Sequence, residues 1–257
     1  MISDKNIVRI LGKDVLVYPL IPANIEGASI FLTASDLAWS LKHKAISKID
    51  DWIIIPSNDS IALITNESIA LSSKYSGICF PRVPNTTYGL ITCTTYIKPG
   101  WIGKLVIVIY NPTNKEQKIR INDPICVLSL DRLESSSSKK DIESKGVHFT
   151  IQMLTELGIS MSSDVKNEIS NHAFSEFKEM KYELRKSTTY KKFKEKDKKI
   201  WNEPINILIS FIILCLIPQL ISIFYCLINK STLDSIITTL FGPTIGALFV
   251  LLGIKLK

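Results

Sequence analysis

The stretch from Arg82 to Asn111 runs R-V-P-N-T-T-Y-G-L-I-T-C-T-T-Y-I-K-P-G-W-I-G-K-L-V-I-V-I-Y-N, and its reading decides the fold. Gly89, Pro99, Gly100 and Gly103 punctuate it, and the runs between them are rich in β-branched and aromatic residues. Such residues suit a pleated, half-buried surface, so strands are expected over 90–97 and 105–110. Lys98-Pro99-Gly100-Trp101 is expected as the turn between them. Proline presets φ at the second turn position, and the glycine after it takes φ > 0 without a Cβ penalty.

The pattern continues outward. Further strands are expected over 15–18, 28–34, 52–56, 60–65, 118–121 and 124–130, with turn residues between them. The run W-I-I-I-P at 52–56 is apolar throughout and reads as a buried strand. A short helix is expected over 3–11, with Ser3 as N-cap and Ile2, Ile7, Ile10 and Leu11 as its stripe. Many short strands argue for a compact all-β barrel or sandwich.

The ordered segments resemble the dCTP deaminase and dUTPase superfamily. That family carries R-S-S-x-A-R-x-G-L, then D-P-G-W-x-G, then a strand closing in L-E-F-Y-N. Arg82 falls on the first Arg, Gly89-Leu90 on G-L, Pro99-Gly100-Trp101 and Gly103 on P-G-W-x-G, and Tyr110-Asn111 on Y-N. Residues 3–32, 62–70 and 123–130 are similar to the family's opening, its L-A-x-T-x-E-x-V-x and its G-M-x-I-x-x-L-x-F, the last with Asp123-Pro124 in place of Gly-Met. The resemblance covers residues 1–133, with a divergent patch near 36–56. It implies a mainly β, dUTPase-like β-clip or distorted barrel, nucleotide ligands, and a homotrimer with sites between subunits.

The family's catalytic groups do not carry over. The Glu that serves as general acid/base in the L-E-F-Y-N strand is Val108 here, and valine cannot carry a proton. The Asp before P-G-W is Lys98, the two phosphate-holding Ser are Val83 and Pro84, the second Arg is Thr87, and the Asp of A-S-x-D-L is Phe31. Loss at these six positions of one site argues against the family reaction, so no catalytic residue is assigned. The candidate nucleotide-binding residues are Arg82, Asn85, Thr87, Tyr88, Thr95, Lys98 and Trp101, although Trp101 reads first as a core residue after the turn and Lys98 as a solvated turn residue.

Cys79, Cys93, Cys126, Cys215 and Cys226 form no C-x-x-C pair, and no zinc-deaminase signature is present, so no metal or cofactor is assigned. Mg²⁺ would enter only with a bound nucleoside triphosphate. Charges scattered through residues 1–14 argue against a secretory signal.

Past residue 133 the character changes. The domains expected are 1–133 as the β domain, 134–203 as a basic helical linker and 204–257 as a membrane hairpin. The linker opens with the polar run E-S-S-S-S-K-K. A helix is expected over 149–157, stopped at Gly158. A second starts near Ser162–Asp164 and runs through Val165, Ile169, Ala173, Phe177, Met180 and Leu184. That stripe fits either a helix packed on the barrel or a coiled-coil stalk.

Residues 205–228 and 235–254 are uncharged and long enough, at about 1.5 Å per residue, to cross a hydrocarbon core of about 30 Å. The net charge of +7 is concentrated in the lysine-rich stretch 178–199, just before the first span. Its position favours anionic lipid over nucleic acid as partner and places both termini in the cytoplasm, giving a multi-pass cell-membrane protein. Neither span holds an Asp, Glu, Lys, Arg or His, which argues against a proton relay.

Three functional readings follow. The first is a catalytically silent nucleotide sensor whose hairpin is the membrane output, as in anti-phage effectors. The second is an active, tethered dCTP deaminase or dUTPase, with Glu67, Asp123 or Glu116 replacing the lost acid/base. The third is a trimeric scaffold without ligand.

Overall fold

A computed structural model describes residues 1–138, 146–171 and 173–196. Its elements in chain order are α1 (Asp4–Ile10), β1 (Val15–Tyr18), β2 (Ile25–Glu26), β3 (Ser29–Ser40), β4 (Lys48–Ile49), β5 (Trp52–Ile55), β6 (Asp59–Leu71), β7 (Tyr75–Pro81) and α2 (Val83–Thr87). There follow β8 (Ile91–Thr92), β9 (Thr95–Ile97), β10 (Ile102–Asn111), β11 (Gln117–Arg120), β12 (Pro124–Arg132), α3 (Gly146–Glu156), α4 (Ser163–Ser170) and α5 (Phe177–Lys186). Residues 188–196 are also helical.

The strands form a nine-stranded sheet in the order β8-β10-β6-β3-β12-β7-β9, with β1 on β6 and β2 on β3, and a three-stranded sheet β11-β5-β4. The first and last strands of the long path, β8 and β9, are separated only by Cys93 and Thr94. A two-residue link cannot span an open seven-strand sheet, so the path must roll until its ends meet. The result is the mainly β, barrel-like architecture expected from the turn-rich sequence.

Residues on the inner faces form the main apolar cluster. It includes Leu16, Ile30, Leu32, Leu63, Ile69, Ile107, Ile109, Ile125 and Leu128, and the small sheet adds Ile53, Ile55 and Ile119. A second cluster lies on the other face, where Trp39, Ala62 and Ile64 meet Leu154 of α3 and Ile169 of α4, with Val106 packed against them. Contacts divide the chain into a unit Met1–Phe193 and a unit Lys194–Lys257. The expected boundary at 133 to 134 marks where strands give way to helices, yet α3–α5 pack on the strands.

The 98–101 turn forms as read. Trp101 N–H donates to the Lys98 carbonyl at 3.2 Å, and Gly100 sits at φ +82°. These features, with proline at the second position, make a type II turn. Other expectations shift. The strand expected over 90–97 divides into β8 and β9, and those expected over 28–34 and 60–65 extend to β3 and β6. Trp52 opens β5 but is 44% exposed, so the run it leads is buried only from Ile53 onward.

The helix expected from 162 through Leu184 is two helices. Ser162 caps α4, its Oγ accepting from Val165 N–H, and the helix ends at Asn171 in an extended conformation. The break lets Ile169 enter the second cluster while Phe174, Met180 and Leu184 enter the main one. The apolar stripe is therefore buried on the barrel rather than offered to a stalk.

Among the described residues no helix is long and apolar enough to cross a membrane. The spans expected at 205–228 and 235–254 lie outside the described residues.

Candidate functional site

Arg82 precedes α2 in an extended conformation, and Val83-Pro84 start the helix, with proline where its missing N–H costs nothing. The substitutions that remove the family's serines thus still build a helix start. Asn85, 9% exposed, donates from Nδ2 to the Ile125 carbonyl at 3.2 Å and ties α2 to β12. The Arg82 guanidinium reaches the Pro124 carbonyl at 3.4 Å and lies 5.9 Å from the Phe31 ring centroid. Phe31, which stands at the family's Asp position, offers this cation an aromatic face.

Facing α2 is the small sheet. Its inner residues Ile53, Ile55 and Ile119 are buried, and strand alternation sends Trp52, Lys118 and Arg120 to the other face. The register places Arg120 directly opposite Trp52, and Trp52 opposite Ile49. Between α2 and β11, the edge strand of this small sheet, lies a cavity of about 340 Å³ lined by β11 residues from both faces. Arg82, Asn85 and Tyr88 border it from the α2 side, Trp52, Gln117, Lys118 and Arg120 from the small sheet, and Asp123 from the turn just before β12.

The cavity therefore collects three cations, one carboxylate and two aromatic rings. Tyr88 is 68% exposed. Lys118 pairs with Glu116 at 3.6 Å, both exposed, a contact that solvent screens and a stronger anion can displace. A second cavity, of about 330 Å³, shares Arg120 and Asp123 and adds Asp51 and Asn122.

Of the seven candidates, the structure brings Arg82, Asn85 and Tyr88 together. Thr87 lies on α2, where its hydroxyl donates to the Pro84 carbonyl at 2.7 Å. Thr95 is on β9 opposite Cys79, Lys98 is exposed in the turn, and Trp101 packs against the main cluster with its indole N–H on the Gly103 carbonyl at 3.3 Å. These four do not line the cavity. The sequence reading missed Trp52, Lys118 and Arg120. The signal for the last two was present, since two basic residues flank Ile119 at strand period. Trp52 needed the pairing of β5 with β11, which local sequence does not reveal.

Val108 lies on β10 opposite Ala62. Leu105, Ile107 and Ile109 point into the main core, so Val108 shares the other face with Val106, beside the apolar surface that α3 covers. Further along this face Lys104 is half-buried. Burial lowers its pKa, opposed by Glu168, Asp36 and Glu67.

The three carboxylates weighed as substitutes for the lost acid/base have distinct settings. Glu67 is 1% exposed and accepts from Thr33 N–H at 2.9 Å and Thr33 Oγ1 at 2.8 Å. Burial pushes its pKa up, against the pull of the Thr33 bonds and Lys104. It braces β6 against β3 and lines neither of the two cavities above. Glu116 is paired with Lys118, and Asp123 borders the cavity. Among the described residues no group of three or more His, Cys, Asp and Glu could hold a metal ion.

Residues 1–133 match the family described as dCTP deaminase-like. The dCTP deaminase of Pyrococcus furiosus is 25% identical over 125 residues, which cover 48% of this chain and 80% of that protein. The dCTP deaminase of Wolbachia pipientis wMel is 26% identical over 114 residues, 44% of this chain and 62% of that protein. Among solved structures, the 2'-deoxycytidine 5'-triphosphate deaminase of Agrobacterium tumefaciens aligns with a TM-score of 0.44 at 14% identity, covering 50% of this chain and 45% of that one. The dUTPase from phage phi11 of S. aureus aligns at 0.36 and 13% identity, covering 51% of this chain and 97% of that one.

Proposed function

The chain belongs to the dCTP deaminase-like family, and from that premise we propose that its β domain is a catalytically silent nucleotide-binding module. The observation that carries this reading is one cavity bordered by Arg82, Lys118 and Arg120, in a chain whose acid/base position holds Val108. A nucleotide's phosphate chain is a polyanion. Guanidinium groups meet it with paired, charge-assisted N–H donors, and lysine adds a point charge. Deamination needs in addition a group that moves protons to and from attacking water and the leaving amine. Val108 at the acid/base position cannot do this, Glu67 is engaged with Thr33, and Glu116 is paired with Lys118. Mg²⁺ would arrive with the triphosphate.

The same proposal includes assembly as a homotrimer and an output through a hairpin of spans 205–228 and 235–254, with anionic lipid as the membrane partner and the β domain cytoplasmic. Its support is the family's trimeric habit and the uncharged length of the two stretches beside a lysine-rich segment. Such a chain would act as a membrane-bound nucleotide sensor of the kind used in anti-phage defence. Alkaline carbonate extraction of membranes tests the anchor: the chain should stay in the pellet, and release to the supernatant contradicts it.

The test of silence uses the purified full-length chain, incubated with dCTP and with dUTP while melting temperature, ammonia and pyrophosphate are followed. A bound nucleotide stabilises the folded state, by about 2.7 kcal/mol at a hundredfold excess over Kd. A melting shift without product is expected. Ammonia from dCTP or pyrophosphate from dUTP overturns the silent reading, and no shift with any nucleotide overturns binding.

A further inference from the structure

The wall that the small sheet gives the cavity is not part of the family's motif. Trp52 comes from the patch where the sequence departs from the family pattern, and Asp123 stands where the family has glycine. Both border the cavity. Among the described residues, the side chains of Trp52, Gln117, Arg120 and Asp123 make no hydrogen bond, ion pair or ring contact. An indole face, an amide, a guanidinium and a carboxylate are thus all presented to one space without partners. A cavity of this size lies at the lower end of the range for small-molecule sites, roughly 300–1,000 Å³.

We propose that the cavity selects a guanine nucleotide, with the base stacked on Trp52, its N1–H and 2-amino edge on the Asp123 carboxylate, and the phosphates on Arg82, Lys118 and Arg120. This rests on the nucleotide-binding reading above and adds the base to it. An ionised carboxylate only accepts, and it accepts best from two parallel N–H donors. Guanine offers two adjacent donors on one edge. Adenine and cytosine offer a single amino group beside an acceptor nitrogen, and the N3–H of uracil lies between two carbonyl oxygens that the carboxylate repels. Stacking on the two-ring indole face favours a two-ring base in the same direction. Arg120, directly opposite Trp52 in the register, sets a cation beside the stacked base. Arg82 stands across the cavity on its Phe31 support.

The experiment is isothermal titration of the full-length chain with GTP, ATP, dCTP and dUTP, for wild type, Asp123→Asn, Trp52→Phe and Trp52→Ala. Wild type should bind GTP about tenfold or more tightly than the others, the discrimination typical of one bidentate base contact. Asp123→Asn, at an exposed position, should lose that preference and leave ATP affinity within about twofold. Trp52→Ala should weaken GTP and ATP by about fivefold or more, while Trp52→Phe, which keeps an aromatic face and the strand, retains most of the binding.

Equal affinity for all four nucleotides, tighter binding of dCTP or dUTP than GTP, or a GTP preference that survives Asp123→Asn overturns the guanine assignment and leaves the nucleotide-binding reading standing. Absence of binding by any nucleotide overturns both.

Discussion

Substituting Gly12 by alanine tests how the C-terminal helices are held on the barrel. Gly12 sits at φ +79°, and a Cβ there would lie 1.9 Å from Tyr190 Oη and 2.5 Å from its Cζ. Neither can give slightly, because the Tyr190 ring is 9% exposed and its hydroxyl donates to the Leu11 carbonyl at 3.3 Å. Arg185 reaches the Gly12 carbonyl itself at 3.3 Å. Two costs follow. Left-handed backbone costs a non-glycine residue about 1–2 kcal/mol. Expelling Tyr190 loses its hydrogen bond, about 1 kcal/mol, and much of its ring burial, about 1.5 kcal/mol or more. The sum is roughly 3–5 kcal/mol.

The second cost exists only while Tyr190 is present. In the Tyr190→Ala background, Gly12→Ala should therefore cost only the backbone share of about 1–2 kcal/mol, leaving a coupling of about 2–3 kcal/mol. Urea unfolding of the full-length chain, followed by tryptophan fluorescence, measures all four corners of the cycle, provided the slope m stays constant. Equal costs of Gly12→Ala in the two backgrounds would refute the contact between Tyr190 and the 11–12 turn.

Three further outcomes follow from buried polar groups. Glu67 has its pKa raised by burial, so the folded chain keeps that proton at pH values where the unfolded chain has lost it. Stability should then fall as pH rises from the ordinary carboxylate range through the raised value, and level off above it. Glu67→Gln should flatten that fall in unfolding free energies measured across pH, and an unchanged slope contradicts the assignment. Thr92 is buried with its hydroxyl unpartnered, so the isosteric Thr92→Val should raise stability by about 1 kcal/mol in the same urea assay. A loss instead would mean that the hydroxyl has a partner. Asn111, the last residue of the family motif, shares its two amide hydrogens among the carbonyls of Ile55, Pro56 and Lys115 and accepts from Thr113. Asn111→Ala should cost about 3 kcal/mol by orphaning these groups, and a cost below about 1 kcal/mol counts against their bonding.

Local chemistry explains what the sequence disclosed. The type II turn at 98–101 needs only proline and glycine in order, and both are there. The strands β10, β11 and β12 alternate cleanly enough to be read. Strand β7 carries Gly77 and Pro81, residues that interrupt a strand pattern in sequence. In the structure Gly77 is a packing device: a Cβ there would come within 2.8 Å of Leu128 Cδ1 on the neighbouring strand. The lengths of β3 and β6 were underestimated because polar residues interrupt their alternation. Thr33 and Glu67 can be buried there since each satisfies the other across the sheet.

The split of the long helix was hidden for a similar reason. One stripe of apolar residues serves two clusters on opposite faces of the sheet, and periodicity alone cannot tell that from a single contact. The site shows the same limit. Arg82, Asn85 and Tyr88 come from one segment that the motif marks. Their partners Trp52, Lys118 and Arg120 reach the cavity through the β5–β11 pairing between distant parts of the chain, and that pairing is set by tertiary folding rather than by local sequence.

The most direct test of the central claim is calorimetric titration of nucleoside triphosphates into the full-length chain and into a Lys118→Ala/Arg120→Ala double variant, with the nucleotide recovered afterwards and identified by chromatography. Both substituted residues are exposed, so the fold should survive. The account predicts saturable binding by the wild type, binding at least tenfold weaker by the variant, and nucleotide recovered unchanged. Deaminated or hydrolysed nucleotide, or equal affinity in the two proteins, would contradict it.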